Sequence, residues 1–255
     1  MGIAIESFKK GFDWIHLNAL YTLFAVVFVA NLIPFIGALL SALVGMAFLY
    51  PKIVSNYIKG SKYVSDPLGA FVATIIAAVF SMIASLFNWK QRNILYLQIG
   101  LFAVAVVLFL FAGLNIAAQY MSQSGVAASD LLGTAPVFIL AILAMLAYGV
   151  VVIYNSIRYS QVLPLLFTAT DDGQKALDMS WQMTEGKVLS LIGLNALVIA
   201  LGFVISVLIL AFSVVPFAVY VVGSLLTVFL TFVSYFATVN FFVALREGDG
   251  KKKSR

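Results

Sequence analysis

Cysteine is absent from the 255 residues. Disulfides, thiolate nucleophiles and cysteine-bound metals are therefore excluded. There is one histidine, His16, so a metal site built on several imidazoles is excluded as well. Charge is scarce: Asp, Glu, Lys and Arg make up 10% of the chain, against roughly 25% in an ordinary soluble domain. The HExxH, GxSxG, P-loop and GxGxxG patterns do not occur.

What is there is apolar. Hydrophobic residues are 63% of the chain and come in long uninterrupted runs. Lipid is the solvent that suits such a chain, because a soluble domain of this size needs more polar surface. The net charge of +5 would suit nucleic acid, but the bases sit in short segments between apolar runs. That placement fits anionic headgroups at a membrane surface and argues against nucleic acid. The first run follows a leader with both acids and bases (Glu6, Lys9, Lys10, Asp13) and continues uncharged from Trp14 to Pro51. It is too long for a signal-peptide core and lacks a clear small-residue cleavage site, so no removed leader is expected.

As one straight helix Trp14–Pro51 would be roughly 57 Å long, nearly twice a hydrocarbon core of about 30 Å. "NLIPFIG", Asn31–Gly37, supplies Pro and Gly for a reversal, giving spans near 15–33 and 36–56. Val188–Leu245 is also uncharged, and "SVVPFA", Ser213–Ala218, breaks it into spans near 188–212 and 217–244. Ile94–Ala117 and Leu131–Ile157 are of spanning length between them.

The segment Pro67–Phe87 is long enough to cross, so length alone allows seven spans. Charge placement argues against it. If 67–87 crosses, Lys9, Lys10, Lys52, Lys59 and Lys62 fall opposite the other ten bases. If it does not, all 15 Lys and Arg share one side, and "QYMSQSGVAASD", Gln119–Asp130, faces the other side without a base. Bases near span ends stay cytoplasmic, so six spans with both termini inside are expected. Bulky residues of 67–87 (Phe71, Ile75, Val79, Met82, Leu86) form one helical stripe and small ones (Ala70, Ala73, Ala77, Ser81, Ala84) another. Such a helix can lie along the membrane or wedge against a bundle.

Two further segments read as interface helices. In 172–186, Lys175, Asp178, Gln182 and Glu185 fall opposite Ala176, Leu177, Ser180, Trp181, Thr184 and Val188. Asp172 is placed to cap its start and Gly186 to end it. Near 3–13, Ile5, Phe8, Phe12 and Ile15 oppose Glu6, Lys9, Lys10 and Asp13. Both helices lead into a hairpin that carries "LNAL", at Leu17–Leu20 and Leu194–Leu197, and later reaches a Pro-Phe turn. The shared order suggests a repeated hairpin, with 67–87 as the interface helix of the middle one.

"NSIRYSQVLPLLF" followed by "ALDMSWQMTEGKVLSLIGLNAL" resembles an uncharacterised prokaryotic six-helix membrane family. Relatives of that family form the membrane domain of some glycerophosphodiester phosphodiesterases. Arg158, Ala176, Leu177, Ser180, Trp181, Thr184 and Gly186 fit its pattern of a span-end Arg followed by A-L-x-x-S-[WF]-x-x-T-x-G. The resemblance implies a six-helix membrane domain; nothing here resembles the phosphodiesterase catalytic part.

Chemistry is sparse. The span interiors lack Asp, Glu, Lys and Arg, which lowers the case for an ion-coupled pump. Arg158 reads as a snorkelling boundary residue, or as a phosphate-binding residue for a lipid headgroup with Asp171 or Asp178 as resting partner. Trp181 and Lys187 are further candidates for headgroup contact. "TDDG", Thr170–Gly173, pairs two carboxylates; helix capping suits them better than a cation, which needs more oxygens. His16 beside Trp14 is an interfacial residue, with a pH sensor as the alternative.

In the last span Tyr220, Gly223, Thr227, Thr231, Ser234 and Thr238 share one face. They either pack against a neighbour, with hydroxyls bonded to their own i−4 carbonyls, or line a polar groove, with Asn18 and Asn195. Gly37, Ser41 and Gly45 form a small-residue packing face, suited also to dimerisation. The basic tail 246–255 reads as a solvated flexible end that can also hold to the membrane surface.

The expectation is one all-α transmembrane bundle over 1–245, with six spans in three hairpins near 15–56, 94–157 and 188–244. Interface helices lie near 3–13, 67–87 and 172–186, on the cytoplasmic side of the cell membrane. Its expected function is non-enzymatic, without metal or cofactor, organising lipid with anionic headgroups, a membrane-protein partner or a second copy of itself. A transporter or channel for a neutral or amphiphilic solute is the alternative, and a lipid-modifying enzyme using the acids around Asp171 the second.

Overall fold

The computed structural model describes residues 2–33, 36–121, 128–211 and 216–253. Every regular element among them is helical. In chain order they are α1 (Gly2–Lys10), α2 (Asn18–Asn31), α3 (Gly37–Val44), α4 (Tyr50–Tyr57), α5 (Pro67–Leu86), α6 (Arg92–Met121), α7 (Ala128–Arg158), α8 (Val162–Thr168), α9 (Gly173–Met183), α10 (Val188–Ala211) and α11 (Pro216–Lys253). A short 3₁₀ turn, Asp13–His16, joins α1 to α2. Parts of four expected segments lie outside the described residues: Pro34 and Phe35, 122–127, 213–215, and Ser254 with Arg255.

The expected all-helical membrane class is present, with six helices long and apolar enough to cross a membrane: Gly37–Tyr57, Pro67–Leu86, Arg92–Ala118, Ala135–Thr168, Val188–Leu210 and Val219–Glu247. Their membership differs from the six expected spans. Pro67–Leu86 is among them, whereas α2 has 14 residues. At 1.5 Å per residue α2 spans about 21 Å, short of a core about 30 Å thick. Together with the α1 segment it forms a pair bent by 95°. The chain from Gly37 to Tyr57 is continuous because a five-residue π turn, Gly45–Leu49, bridges α3 and α4. Pro51 is the physical cause: it has no N–H for the carbonyl of Ala47, and the ladder widens to skip it.

The chain divides into two compact units, Met1–Phe80 with Ser160–Arg255, and Ser81–Tyr159. The core of the first is aromatic. Trp14 stacks on Phe24 at 5.1 Å, and both rings meet Phe232. Tyr50 packs edge-on against Phe167 and Tyr235. Such pairs contribute about 0.5–1.5 kcal/mol each beyond their buried area. The second unit is the hairpin of α6 and α7 with the end of α5.

On α5, α6 and α7 small residues face the protein and many bulky ones face outward. In α5 Ala70, Ala73 and Ala77 are buried, while Val72, Ile75, Val79 and Met82 are exposed. In α6 and α7 Ala105, Ala112 and Ala141 are fully buried, yet Val107, Leu110, Leu146 and Val150 are exposed. Acyl chains are as apolar as leucine, so hydrophobicity alone does not drive the large side chains of these three helices inward. Close helix approach, which small residues allow, decides the face instead.

On α1 the stripe buried against the protein is Ala4, Ser7 and Gly11, Phe12 meets Phe229, and Ile5 and Ile15 are exposed. A Cβ on Gly11 would lie 2.9 Å from the carbonyl oxygen of Val233, so α1 approaches α11 backbone to backbone. The tail also differs from a flexible end: α11 continues as helix through Lys253. Each added residue gains one hydrogen bond once a helix exists.

Candidate functional site

The richest polar region of the first unit lies at the ends of its apolar helices. The loop from Ile58 to Asp66 joins α4 to α5, and three contacts fix it. Lys62 N–H donates to the carbonyl of Phe167 at 2.8 Å. Lys62 Nζ donates to Asp171 Oδ1 at 2.8 Å, and Tyr63 Oη donates to the same oxygen at 3.1 Å. The Tyr63 ring packs on Phe167, and its backbone takes φ +64°. That left-handed conformation costs a non-glycine residue about 1–2 kcal/mol, which the loop's contacts must offset. The Lys62 ammonium and then the Tyr63 hydroxyl hold the Asp171 carboxyl below the usual carboxylate range. Burial, then the Asp171 bond, pushes the Tyr63 phenol up.

Asp172 caps α9. Its Oδ1 accepts from the N–H groups of Gln174 at 2.8 Å and Lys175 at 3.4 Å. Lys175, Asp178, Gln182 and Glu185 on α9 are exposed, and Gly173, Ala176, Leu177, Ser180 and Thr184 are buried. Gly186, at φ +69°, follows the helix where only a glycine turns without strain. The A-L-x-x-S-x-x-x-T-x-G pattern is thus the packed face of one helix and its stop. Among the described residues no three His, Asp or Glu side chains are grouped to hold a metal.

The headgroup candidates sit differently from one another. Arg158 is 4% exposed at the end of α7, so its head is not in water as a snorkelling residue's would be. Asp171, considered as its resting partner, is engaged with Lys62 and Tyr63 instead. Trp181 and Lys187 are half-buried, and His16 is exposed in the 3₁₀ turn.

The hydroxyl stripe of α11 lies on its less buried side. Thr227 is exposed, Gly223, Thr231, Ser234 and Thr238 are half-buried, and Val228, Phe232, Phe236 and Val239 fill the packed side. Thr231 and Thr238 donate to the carbonyls of Thr227 and Ser234, four residues back. Tyr220 Oη donates to the carbonyl of Leu32. Asn195 Nδ2 bonds to the carbonyl of Leu191 on its own helix. Gly37, Ser41 and Gly45 pack within the unit. A Cβ on Gly37 would lie 2.5 Å from the carbonyl oxygen of Asn31, Ser41 bonds to the Asn31 side chain, and Gly45 faces the Tyr235 ring.

Sequence reasoning missed a buried polar knot in the second unit. Asn88, Gln98 and Asn155 are fully buried and Tyr159 nearly so. Gln98 accepts from Asn88 N–H and donates to the carbonyl of Ser85. Asn155 accepts from Asn88 Nδ2 and donates to the same carbonyl. Asn88 Oδ1 accepts from Tyr159 Oη at 2.6 Å and from Gln91 N–H. The knot ties the end of α5 to the start of α6 and the end of α7, and satisfies the carbonyls that a helix end leaves open. Isolated amides at three apolar span ends were the available signal, but nothing in the sequence pairs residues 67 positions apart.

No family model, curated protein or solved structure matches the chain; composition, helices and packing make it a multi-pass membrane protein.

Proposed function

We propose that this protein is a non-enzymatic organiser of the cytoplasmic membrane surface, holding anionic lipid headgroups against a belt of short helices. One observation carries the reading: within the first unit, contacts tie the polar helix ends together. Tyr57 Oη reaches Asp13 at 3.4 Å, Lys62 reaches Asp171, and α1 packs on the end of α11. Exposed Lys9, Lys10, Lys52, Lys59 and Lys175 therefore gather at one end of the apolar helices. Each base near an anionic leaflet adds about 1 kcal/mol of attraction. The positive-inside rule makes this end, with both termini, cytoplasmic.

In this reading α5 lies along that surface. A Cβ on Gly173, two residues past Asp171, would come 3.1 Å from Ile76 and Phe80, in the middle turns of α5. That contact supports a helix running beside α9 and its cap, not leaving directly for the opposite leaflet. The engagement of Asp171 and Asp172 in a latch and a cap supports a structural role over catalysis.

The test is lipid selectivity. The full chain is reconstituted in phosphatidylcholine bilayers holding spin-labelled phosphatidylglycerol or phosphatidylcholine, and the immobilised fraction is measured. Excess immobilised phosphatidylglycerol is expected, and it should fall in a variant with Lys9, Lys10, Lys59 and Lys175 changed to Gln. Equal immobilisation of the two lipids would remove the proposal. Flux of a neutral solute that depends on Thr227 and Thr231 would establish the transporter reading in its place.

A further inference from the structure

A cavity of about 240 Å³ opens between α1 and the last turns of α11, lined by Ile3, Glu6, Ser7, Lys10, Asn240, Val243, Ala244 and Glu247. It lies N-terminal along α1 from the close approach of the two helices at Gly11. Its charge runs against the rest of the chain: two carboxylates and one lysine in a protein of net charge +5.

The polar groups are unevenly engaged. Glu6 and Lys10 form an ion pair at 3.3 Å on the surface of α1. Asn240 spends its amide on the carbonyl of Phe236. Glu247 has no hydrogen bond or ion pair among the described residues, and it is exposed at the rim. Ser7 is 2% exposed, lines the cavity, and its hydroxyl has no hydrogen bond among the described residues. In a helix a serine hydroxyl commonly returns to the carbonyl four residues back; this one instead stands in the wall of the open volume, on a side chain otherwise enclosed by protein.

We propose that this cavity binds a primary ammonium carried beside a phosphate, the phosphoethanolamine group. The ammonium has three N–H donors, which match the Glu247 and Glu6 carboxylates and the Ser7 hydroxyl as acceptors. The phosphate then pairs with Lys10 once Glu6 turns to the ammonium. A trimethylammonium has no N–H to give Ser7, and a glycerol headgroup brings no positive charge for Glu247. The site goes beyond the anionic belt, since it selects a zwitterionic group by hydrogen bonding.

The full chain is released from nanodiscs of equal phosphatidylethanolamine, phosphatidylcholine and phosphatidylglycerol, and retained lipids are counted by native mass spectrometry. Phosphatidylethanolamine should exceed phosphatidylcholine about ten-fold, the ratio that 1.4 kcal/mol provides. Glu247→Gln at the exposed rim should bring the ratio near one, and Ser7→Ala should lower it several-fold. Phosphatidylglycerol retention should be unchanged in both variants, which separates this site from the lysine belt. Hydrogen exchange of α1 in lipid-free detergent distinguishes the source: protection by free phosphoethanolamine identifies a soluble ligand, and protection by phosphatidylethanolamine alone identifies the lipid. Equal retention of the two zwitterionic lipids by the unaltered chain, or an unchanged ratio in Glu247→Gln, would overturn the assignment.

Discussion

Lys62 Nζ lies 2.8 Å from Asp171 Oδ1, across 109 residues of chain, and Tyr63 adds a second bond to the same oxygen. The pair clips the loop before α5 to the turn before α9. Because it is exposed, its value is local order more than global stability.

Its pH dependence follows from sign. The Asp171 carboxyl is held down in the folded state by Lys62 and Tyr63. The latch therefore contributes fully above the unfolded value of about 3.9 and is lost as pH falls through the lower folded value. Hydrogen exchange of 58–66, corrected for intrinsic rates, should show protection at neutral pH that weakens as pH falls below about 3.9. Asp171→Asn should lack the protection throughout. Equal protection of the unaltered chain across that range would refute the latch.

The inward small stripe predicts an inverted mutational pattern. Ala70→Leu or Ala73→Leu forces bulk into a packed contact and should cost about 1–3 kcal/mol. Val72→Ala and Met82→Ala, on the exposed face, should stay within about 0.5 kcal/mol. Reversible thermal or denaturant unfolding in detergent measures both. A soluble-type pattern, with Val72 and Met82 costly and Ala70 permissive, would contradict the packing.

The polar knot predicts a large effect far from any charge. Asn155→Leu strips partners from the Asn88 amide and leaves the Ser85 carbonyl to Gln98 alone. Losing a buried, bonded amide this way should cost about 1–3 kcal/mol. Asn115→Leu removes one exposed bond to the carbonyl of Phe111 and serves as the control, with little change expected.

Topology is directly measurable because the chain has no native cysteine. Single cysteines at Lys59, Arg92 and Lys175, all exposed, should react with an impermeant reagent from the same face, and Ser124 from the other. Asn88 is unsuitable, since it is buried in the knot. Labelling of Arg92→Cys only from the face opposite Lys59 would show that α5 crosses, and the three-hairpin arrangement would fall.

How much of this was legible in advance varies by residue. The charged face of α9, its Asp172 cap and the Gly186 stop were readable because they obey rules confined to a dozen neighbouring residues. The i−4 hydroxyl bonds of Thr231 and Thr238 were readable for the same reason. Which residues of α1 meet the protein was not readable: amphipathicity separates charged from apolar residues, whereas Ala4, Ser7 and Gly11 pack by closeness of approach.

From the sequence alone came the solvent and the helical class, since hydropathy is a sum over composition and order. The fold in space was needed for everything that joins distant residues. Lys62 with Asp171, Asn88 with Asn155, and Ser7 facing a cavity beside Glu247 depend on which helices pack, and at what separation. No local pattern encodes that distance; it emerges only when small residues from two helices are allowed to meet.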